Sequence, residues 1–318
     1  MHGFLERHQV WIYFGCVALG VGVASVISGT EHLEVTINPA LAFMLFVTFL
    51  QVPLAKIGKS LREMRFLAAL LTSNFIVIPV LAYLLSRLAT DDALLRLGVL
   101  MVLLTPCIDY VITFAHLGRA DARLLLASTP ILLLVQMALL PIYLAVFLGR
   151  GAAELVSIGP FIHAFLWLIA LPLVLAGAMQ FWAVWSRIGR KVSDILGVLP
   201  VPATGLVLFL VVATIVPILG VATDQALAVL PLYIAFAIMA PLAGWLVSVG
   251  FGLRTEVGRA VAFSCGTRNS LVVLPLALAV PGAIPVLPAI IVTQTLVELV
   301  AELIYIRVIP KLAMRGRR

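Results

Sequence analysis

Apolar residues fill this chain in long blocks separated by short polar or basic connections, and the blocks reach the roughly 20 residues that a helix needs to cross a bilayer core. Their positions predict ten spans, at about 10–28, 37–55, 66–88, 93–117, 122–148, 159–185, 198–221, 226–250, 258–281 and 285–308. Each should be a helix. Inside hydrocarbon every backbone group must find a partner within the segment or a closed barrel, and the weak alternation of a membrane strand is absent. The expected class is an all-α polytopic membrane protein forming a single transmembrane domain over residues 1–318.

Two of the blocks are interrupted. Ser264-Cys265-Gly266-Thr267-Arg268-Asn269-Ser270 is the most polar run inside an apolar segment, and its arginine stands where a lipid-spanning helix should carry none. A charge at that depth costs at least about 2.5–3.5 kcal/mol, so it should face protein, water or solute. Thr105-Pro106-Cys107-Ile108-Asp109-Tyr110 interrupts the fourth block in the same way. Interrupted segments at matching places in two halves are the sequence mark of a midplane site in an inverted-repeat secondary transporter. The halves fall at about 9–148 and 159–310, and Asn38-Pro39-Ala40 near the start of span two has a counterpart in Val201-Pro202-Ala203 near the start of span seven. The expected layout is two inverted five-helix repeats with helices four and nine broken.

Composition changes the picture only by exclusion. The chain is 63% hydrophobic and 11% charged, far from the roughly 25% charged residues of a soluble domain. Its net charge of +7 does not point to nucleic acid, because the bases follow the loops: Lys56, Lys59, Arg62 and Arg65, then Arg119 and Arg123, then Arg187, Arg190 and Lys191. Seventeen of the 21 Lys and Arg residues lie on one side of the ten-span layout, and three, Arg87, Arg96 and Arg150, lie on the other. Both termini are therefore expected in the cytoplasm, with the chain in the cell (inner) membrane. Cys16, Cys107 and Cys265 all lie in apolar segments without disulfide spacing. The first apolar block lacks a small-residue cleavage signature and reads as a retained helix. No phosphate loop of the GxxxxGK[ST] type and no HExxH cluster is present, so neither an ATP-driven pump nor an enzyme is expected, and no cofactor is implied.

The candidate substrate and coupling residues are Cys107, Asp109, Cys265, Arg268, Asn269, Ser270 and Glu298. Asp109 and Arg268 could neutralise each other across the broken helices, either as a static pair or as a working one. In the working versions Arg268 binds an anionic solute with its fork of donors, or Asp109 takes up a proton. Cys107 and Cys265 sit one in each break. Convergent thiols would suit a soft, thiophilic solute, whereas singly each could be a small packing residue. Glu298 lies mid-span, four residues before Glu302 on the same helical face. It is a candidate proton carrier or second partner for Arg268, while Glu302 is expected near enough to the cytoplasmic end to be solvated. Thr113, His116, Thr293, Gln294 and Thr295 could line a cavity.

Thr105-Pro106-Cys107, followed by Phe114-Ala115-His116-Leu117-Gly118-Arg119-Ala120-Asp121-Ala122, resembles the fourth-helix motif of the bile acid:sodium symporter superfamily. It is similar in particular to the arsenite permease branch, whose pattern is Ala-Pro-Cys and then a helix ending Leu-Ala-Lys/Arg-Gly-Asp. Leu296-Val297-Glu298 resembles a Leu-Val-Glu of that branch's last helix. The resemblance implies ten helices, a panel and a core domain, broken and crossed helices four and nine, and a functional role for Cys107. In the ninth helix the chain keeps the Gly and the Asn-Ser of the symporters' Glu-Thr-Gly-x-Gln-Asn-Ser-like run but lacks the Glu and Gln sodium ligands. Val111 and Ile112 stand where the symporters carry Ser and Asn ligands. The expected function is thus a secondary active transporter driving proton-coupled efflux of a small solute such as arsenite. The alternatives are a sodium-coupled organic-anion symporter and, from another class, a non-transporting receptor or scaffold. The expected partners are a small-molecule or ion substrate and the lipid bilayer.

Overall fold

The computed structural model describes residues 2–51, 63–89, 92–108, 110–148, 163, 166–278, 280, 282 and 284–313. They form helices joined by short turns: α1 (His2–Val26), α2 (Glu34–Gln51), then α3, which runs from Met64–Thr72 through a π turn at Ser73–Val77 into Ile78–Ala89. There follow α4 (Ala93–Leu103), α5 (Val111–Leu117), α6 (Ala122–Leu148) and α7 (Leu171–Trp185). The remainder is α8 (Arg187–Leu196), α9 (Pro200–Gly250), α10 (Thr255–Gly266), α11 (Ser270–Leu278) and α12 (Val286–Val308). Among the described residues seven helical stretches are long and apolar enough to cross a membrane, and α4 and α7 are shorter apolar helices. The protein is an all-α, multi-pass membrane protein.

Both segments expected to be interrupted are interrupted. The fourth span is divided into α4 and α5, and the ninth into α10 and α11. Two other expectations change. The stretch from Arg187 to Lys191, anticipated as a basic loop, is the helix α8. Ser186 caps it by accepting a hydrogen bond from the Gly189 N–H at 3.3 Å, and Gly189 faces the Trp182 ring so closely that a Cβ would lie 2.9 Å from it. Spans seven and eight, anticipated as separate, lie on the continuous helix α9. A single glycine such as Gly220 costs a helix only about 1 kcal/mol, and no proline intervenes between Pro217 and Pro231. Within α9, Pro200–Pro217 and Ala222–Gly250 are each apolar and long enough to span.

The described residues of 1–52, 157–224 and 274–292 form one compact unit, and those of 53–156, 225–273 and 293–318 form another. In the first, α7 packs on α2 and α8. In the second, α10 packs against α3, α5 and α6, and α4 and α5 also rest on α6. Prolines inside these helices are repaired locally. Pro79 cannot donate to the carbonyl of Phe75, one turn before it, and that carbonyl instead accepts the Tyr143 hydroxyl at 2.5 Å. The turn after α5 explains the Leu117-to-Ala122 motif: Arg119 takes a positive φ of 55°, and Asp121 accepts from the Leu124 N–H at 3.2 Å as α6 begins. The Asp121 N–H in turn donates to the Glu256 carbonyl at 2.9 Å.

Candidate functional site

The second unit contains the crossing of the two breaks. Pro106 has no N–H, so α4 cannot continue its ladder through it. Thr105 closes the last turn by donating its hydroxyl toward the carbonyls of Met101 and Val102, at 3.1 and 2.9 Å. On the other side α10 ends at Gly266, and the Thr267 N–H donates back to the Phe263 carbonyl at 3.1 Å. The unwound backbones then pair with each other. Cys107 N–H donates to the Thr267 carbonyl at 3.0 Å and Asn269 N–H to the Thr105 carbonyl at 2.8 Å, an antiparallel bridge centred on Pro106 and Arg268. Irregular backbone is tolerated at membrane depth only where protein or a water-filled cavity satisfies it; here each break satisfies the other. Gly266 permits the approach of α12, because a Cβ there would lie 2.8 Å from the Tyr305 ring.

Arg268 is fully buried, at 0% exposure. Its guanidinium donates through Nη1 to the Leu103 carbonyl at 3.3 Å. Through Nη2 it donates to Asn74 Oδ1 and the Cys265 carbonyl, both at 2.9 Å, and to the Ser264 carbonyl. These oxygens are uncharged, and three of them lie at the C-terminal ends of α4 and α10, where helix dipoles place partial negative charge. The Phe236 ring adds a cation–π contact at 5.7 Å. Nε has no partner.

The acids of α12 lie beside this group. Glu298 does not pair with the guanidinium. Its Oε2 accepts the Arg268 backbone N–H at 2.7 Å and Gln294 Nε2 at 2.5 Å, and its Oε1 accepts the Tyr110 hydroxyl at 2.5 Å. Glu302 corrects the expectation of a solvated end, since it is 0% exposed and its Oε1 meets the Thr267 hydroxyl. The reason is that Thr267, in extended backbone just after Gly266, packs its hydroxyl against this acid. Ser270 and Thr295 share a hydrogen bond of 2.8 Å, and Asn269 is buried with its Nδ2 unpaired among the described residues.

The structure therefore brings Cys107, Arg268, Asn269, Ser270 and Glu298 together, with Cys265 in the last turn of α10. Both thiols are buried. Asp109 lies outside the described residues, as does any pairing of it with Arg268. His116 is exposed and Thr113 half-buried, whereas Gln294 and Thr295 are buried. Sequence reasoning missed Asn74 and Tyr110. Asn74 sits in the π turn of α3, and its Nδ2 donates to the Leu70 carbonyl at 3.1 Å and to Ser264 Oγ at 3.0 Å. The signal available was an amide in the middle of an apolar span, where a polar side chain is rarely idle, next to Pro79 as a further break in the ladder. Tyr110 gave none beyond its place beside the first break.

No curated protein matches the chain. Residues 38–193 match the model described as the Sodium Bile acid symporter family, a stretch that includes Pro106 and Cys107 but ends before the second break. The match, over just under half of the chain, supports the superfamily to which the fourth-helix motif points, and with it the function of a membrane transporter rather than an enzyme.

Proposed function

We propose that the chain is a secondary active transporter of the arsenite permease type, exporting a small solute such as arsenite in exchange for protons, with its site at the crossing of the two breaks. In this reading ten spans form two inverted five-span repeats in the cell membrane, with both termini cytoplasmic. Cys107, Asp109, Cys265, Arg268, Asn269, Ser270 and Glu298 are the substrate and coupling residues.

The observation that carries the coupling ion is the guanidinium of Arg268 among the oxygens of Leu103, Asn74, Ser264 and Cys265. Unwound carbonyls and half-helix C-terminal ends are where transporters of this kind hold a coupling cation. A fixed cation on those oxygens repels a second one, and the proton is the remaining coupling ion, with buried Glu298 beside it. The solute is argued from what the crossing leaves unpaired among the described residues: two donors, Arg268 Nε and Asn269 Nδ2, and two acceptors, Gln294 Oε1 and Glu302 Oε2. A small uncharged hydroxylated solute such as arsenous acid offers both kinds of group at once, and Cys107 supplies a soft ligand in the break.

The family match favours a second reading, sodium-coupled uptake of an organic anion whose carboxylate would meet the Arg268 and Asn269 donors. Proteoliposomes separate the two. Under the first reading arsenite flux responds to an imposed pH gradient and not to a sodium gradient at fixed pH and voltage. Flux that rises with sodium returns the protein to the second reading.

A further inference from the structure

Glu298 and Glu302 are one helical turn apart on α12, at 2% and 0% exposure, and their surroundings differ in kind. Glu298 collects three donors on its two oxygens: the Tyr110 hydroxyl, the Arg268 backbone N–H and the Gln294 amide. The Tyr110 hydroxyl also approaches the Arg268 carbonyl, at 3.4 Å, but the Arg268 N–H and the Gln294 amide can only donate, and donors in that number favour the ionised form.

Glu302 meets only the Thr267 hydroxyl through Oε1, and its Oε2 has no partner among the described residues. A threonine hydroxyl owns one proton. It stands between two oxygens, Glu302 Oε1 and the Phe263 carbonyl at 2.8 Å, and a carbonyl cannot donate. If the hydroxyl proton goes to Glu302, a buried carboxylate is left with a single donor, an empty second oxygen and another carboxylate one turn away. If it goes to the Phe263 carbonyl, the proton in the other contact belongs to Glu302, and only a neutral carbonyl oxygen is left unpaired. An unpaired neutral group costs far less in a dry interior than an uncompensated charge. Among the described residues the ionisable groups acting on Glu302 are Glu298 and Tyr305 on its own helix and Tyr110 across the crossing. None is a cation, and the Arg268 guanidinium is directed to other oxygens.

We infer that Glu302 is a proton-binding site: a neutral carboxylic acid donating to Thr267, held one turn from an ionised Glu298, and carrier of the exchanged proton. The last clause rests on the proton-coupled reading above. On release, the proton leaves Oε1 for water reaching the site, and the Thr267 hydroxyl turns its own proton from the Phe263 carbonyl onto the new carboxylate. Uptake reverses both movements. Thr267 also accepts the Cys107 N–H through its carbonyl, so the residue that senses the proton is the one that joins the two breaks.

The test is infrared spectroscopy of the full chain in nanodiscs at neutral pH, reading the carboxylic-acid C=O stretch and its shift in heavy water. The band is expected in the wild type and in Glu298→Gln, and is expected to be lost in Glu302→Gln, whose amide can still donate to Thr267. Thr267→Val should keep the band but shift it, because the acceptor of the acid proton is gone. A band absent from the wild type, kept in Glu302→Gln, or unmoved in Thr267→Val overturns the assignment. In proteoliposomes the response of arsenite flux to a pH gradient should be lost in Glu302→Gln, and a retained response overturns the carrier role. A wild type whose flux ignores pH while the band is present sinks proton coupling instead.

Discussion

Arg268 reaches Glu298 through a backbone hydrogen bond and not through its guanidinium: the Arg268 N–H donates to Glu298 Oε2 at 2.7 Å, while the guanidinium donates to Asn74, Leu103, Ser264 and Cys265. The unwinding after Gly266 makes this possible, because only a residue outside the helical ladder has a free N–H to offer. Backbone and side chain of one residue thus organise two different polar clusters.

That division predicts how Arg268 variants fail. Arg268→Lys keeps the charge, but a compact ammonium cannot span from the Leu103 carbonyl to Asn74 as the planar fork does. Each buried acceptor left without a donor costs about 1–3 kcal/mol. Thermal unfolding in detergent should therefore rank wild type above Lys, and Lys above Gln. If Asp109 compensates the guanidinium, Asp109→Asn combined with Arg268→Gln should recover folding relative to Arg268→Gln alone without recovering transport. Strictly additive losses would mean that the two side chains do not meet.

Tyr110→Phe removes one of the three donors to the Glu298 carboxylate and leaves the edge-to-face contact of its ring with Phe114, at 6.1 Å between centroids. A hydrogen bond to a buried charged group contributes about 1.5–3 kcal/mol, so the variant should unfold at lower temperature or denaturant by that margin. An unchanged midpoint would mean that Gln294 and the Arg268 N–H suffice to hold the acid.

Both breaks were legible in the sequence because they contain residues a membrane helix avoids, Pro106 and Arg268 among them. The pairing of the breaks by backbone atoms was not, since every residue carries the same N–H and C=O. Glu298 stood out by its depth. Glu302 did not, because four residues toward a basic end reads as solvent, and its burial depends on Thr267 arriving from another helix. Asn74 was hidden by an apolar neighbourhood that gives an amide the look of a packing residue. The helix α8 was hidden by its charges: Arg187, Arg190 and Lys191 read as loop, although Ser186 as N-cap and Ile188, Val192 and Ile195 at helical spacing were there to be counted.

The three cysteines should separate by accessibility. Cys16 is partly exposed on α1, whereas Cys107 and Cys265 are buried, so a maleimide should modify Cys16 first in native membranes. If arsenite is the solute, Cys107→Ser should abolish the resistance conferred on a sensitive host and Cys16→Ser should not. Unchanged resistance in Cys107→Ser would return that thiol to a packing role.

Asn74 offers the sharpest test of the crossing, because one side chain in the π turn of α3 holds both the Arg268 fork and the end of α10. Its Oδ1 accepts from Arg268 Nη2 at 2.9 Å, and its Nδ2 donates to Ser264 Oγ at 3.0 Å and to the Leu70 carbonyl at 3.1 Å. Asn74→Leu fills a similar volume and removes all three bonds, leaving the buried Ser264 Oγ without its Asn74 donor and Arg268 Nη2 with only the Ser264 and Cys265 carbonyls. Asn74→Asp keeps the acceptor and strengthens it with charge, but it cannot donate to Ser264 or Leu70. The expected order of stability in detergent is wild type, then Asp, then Leu, with Leu lower than wild type by about 1–3 kcal/mol for the buried Ser264 hydroxyl that loses its partner. Transport should fall in both. An Asn74→Leu variant as stable and as active as the wild type would mean that the carbonyls of Leu103, Ser264 and Cys265 hold the guanidinium unaided, and that the π turn positions nothing the site needs.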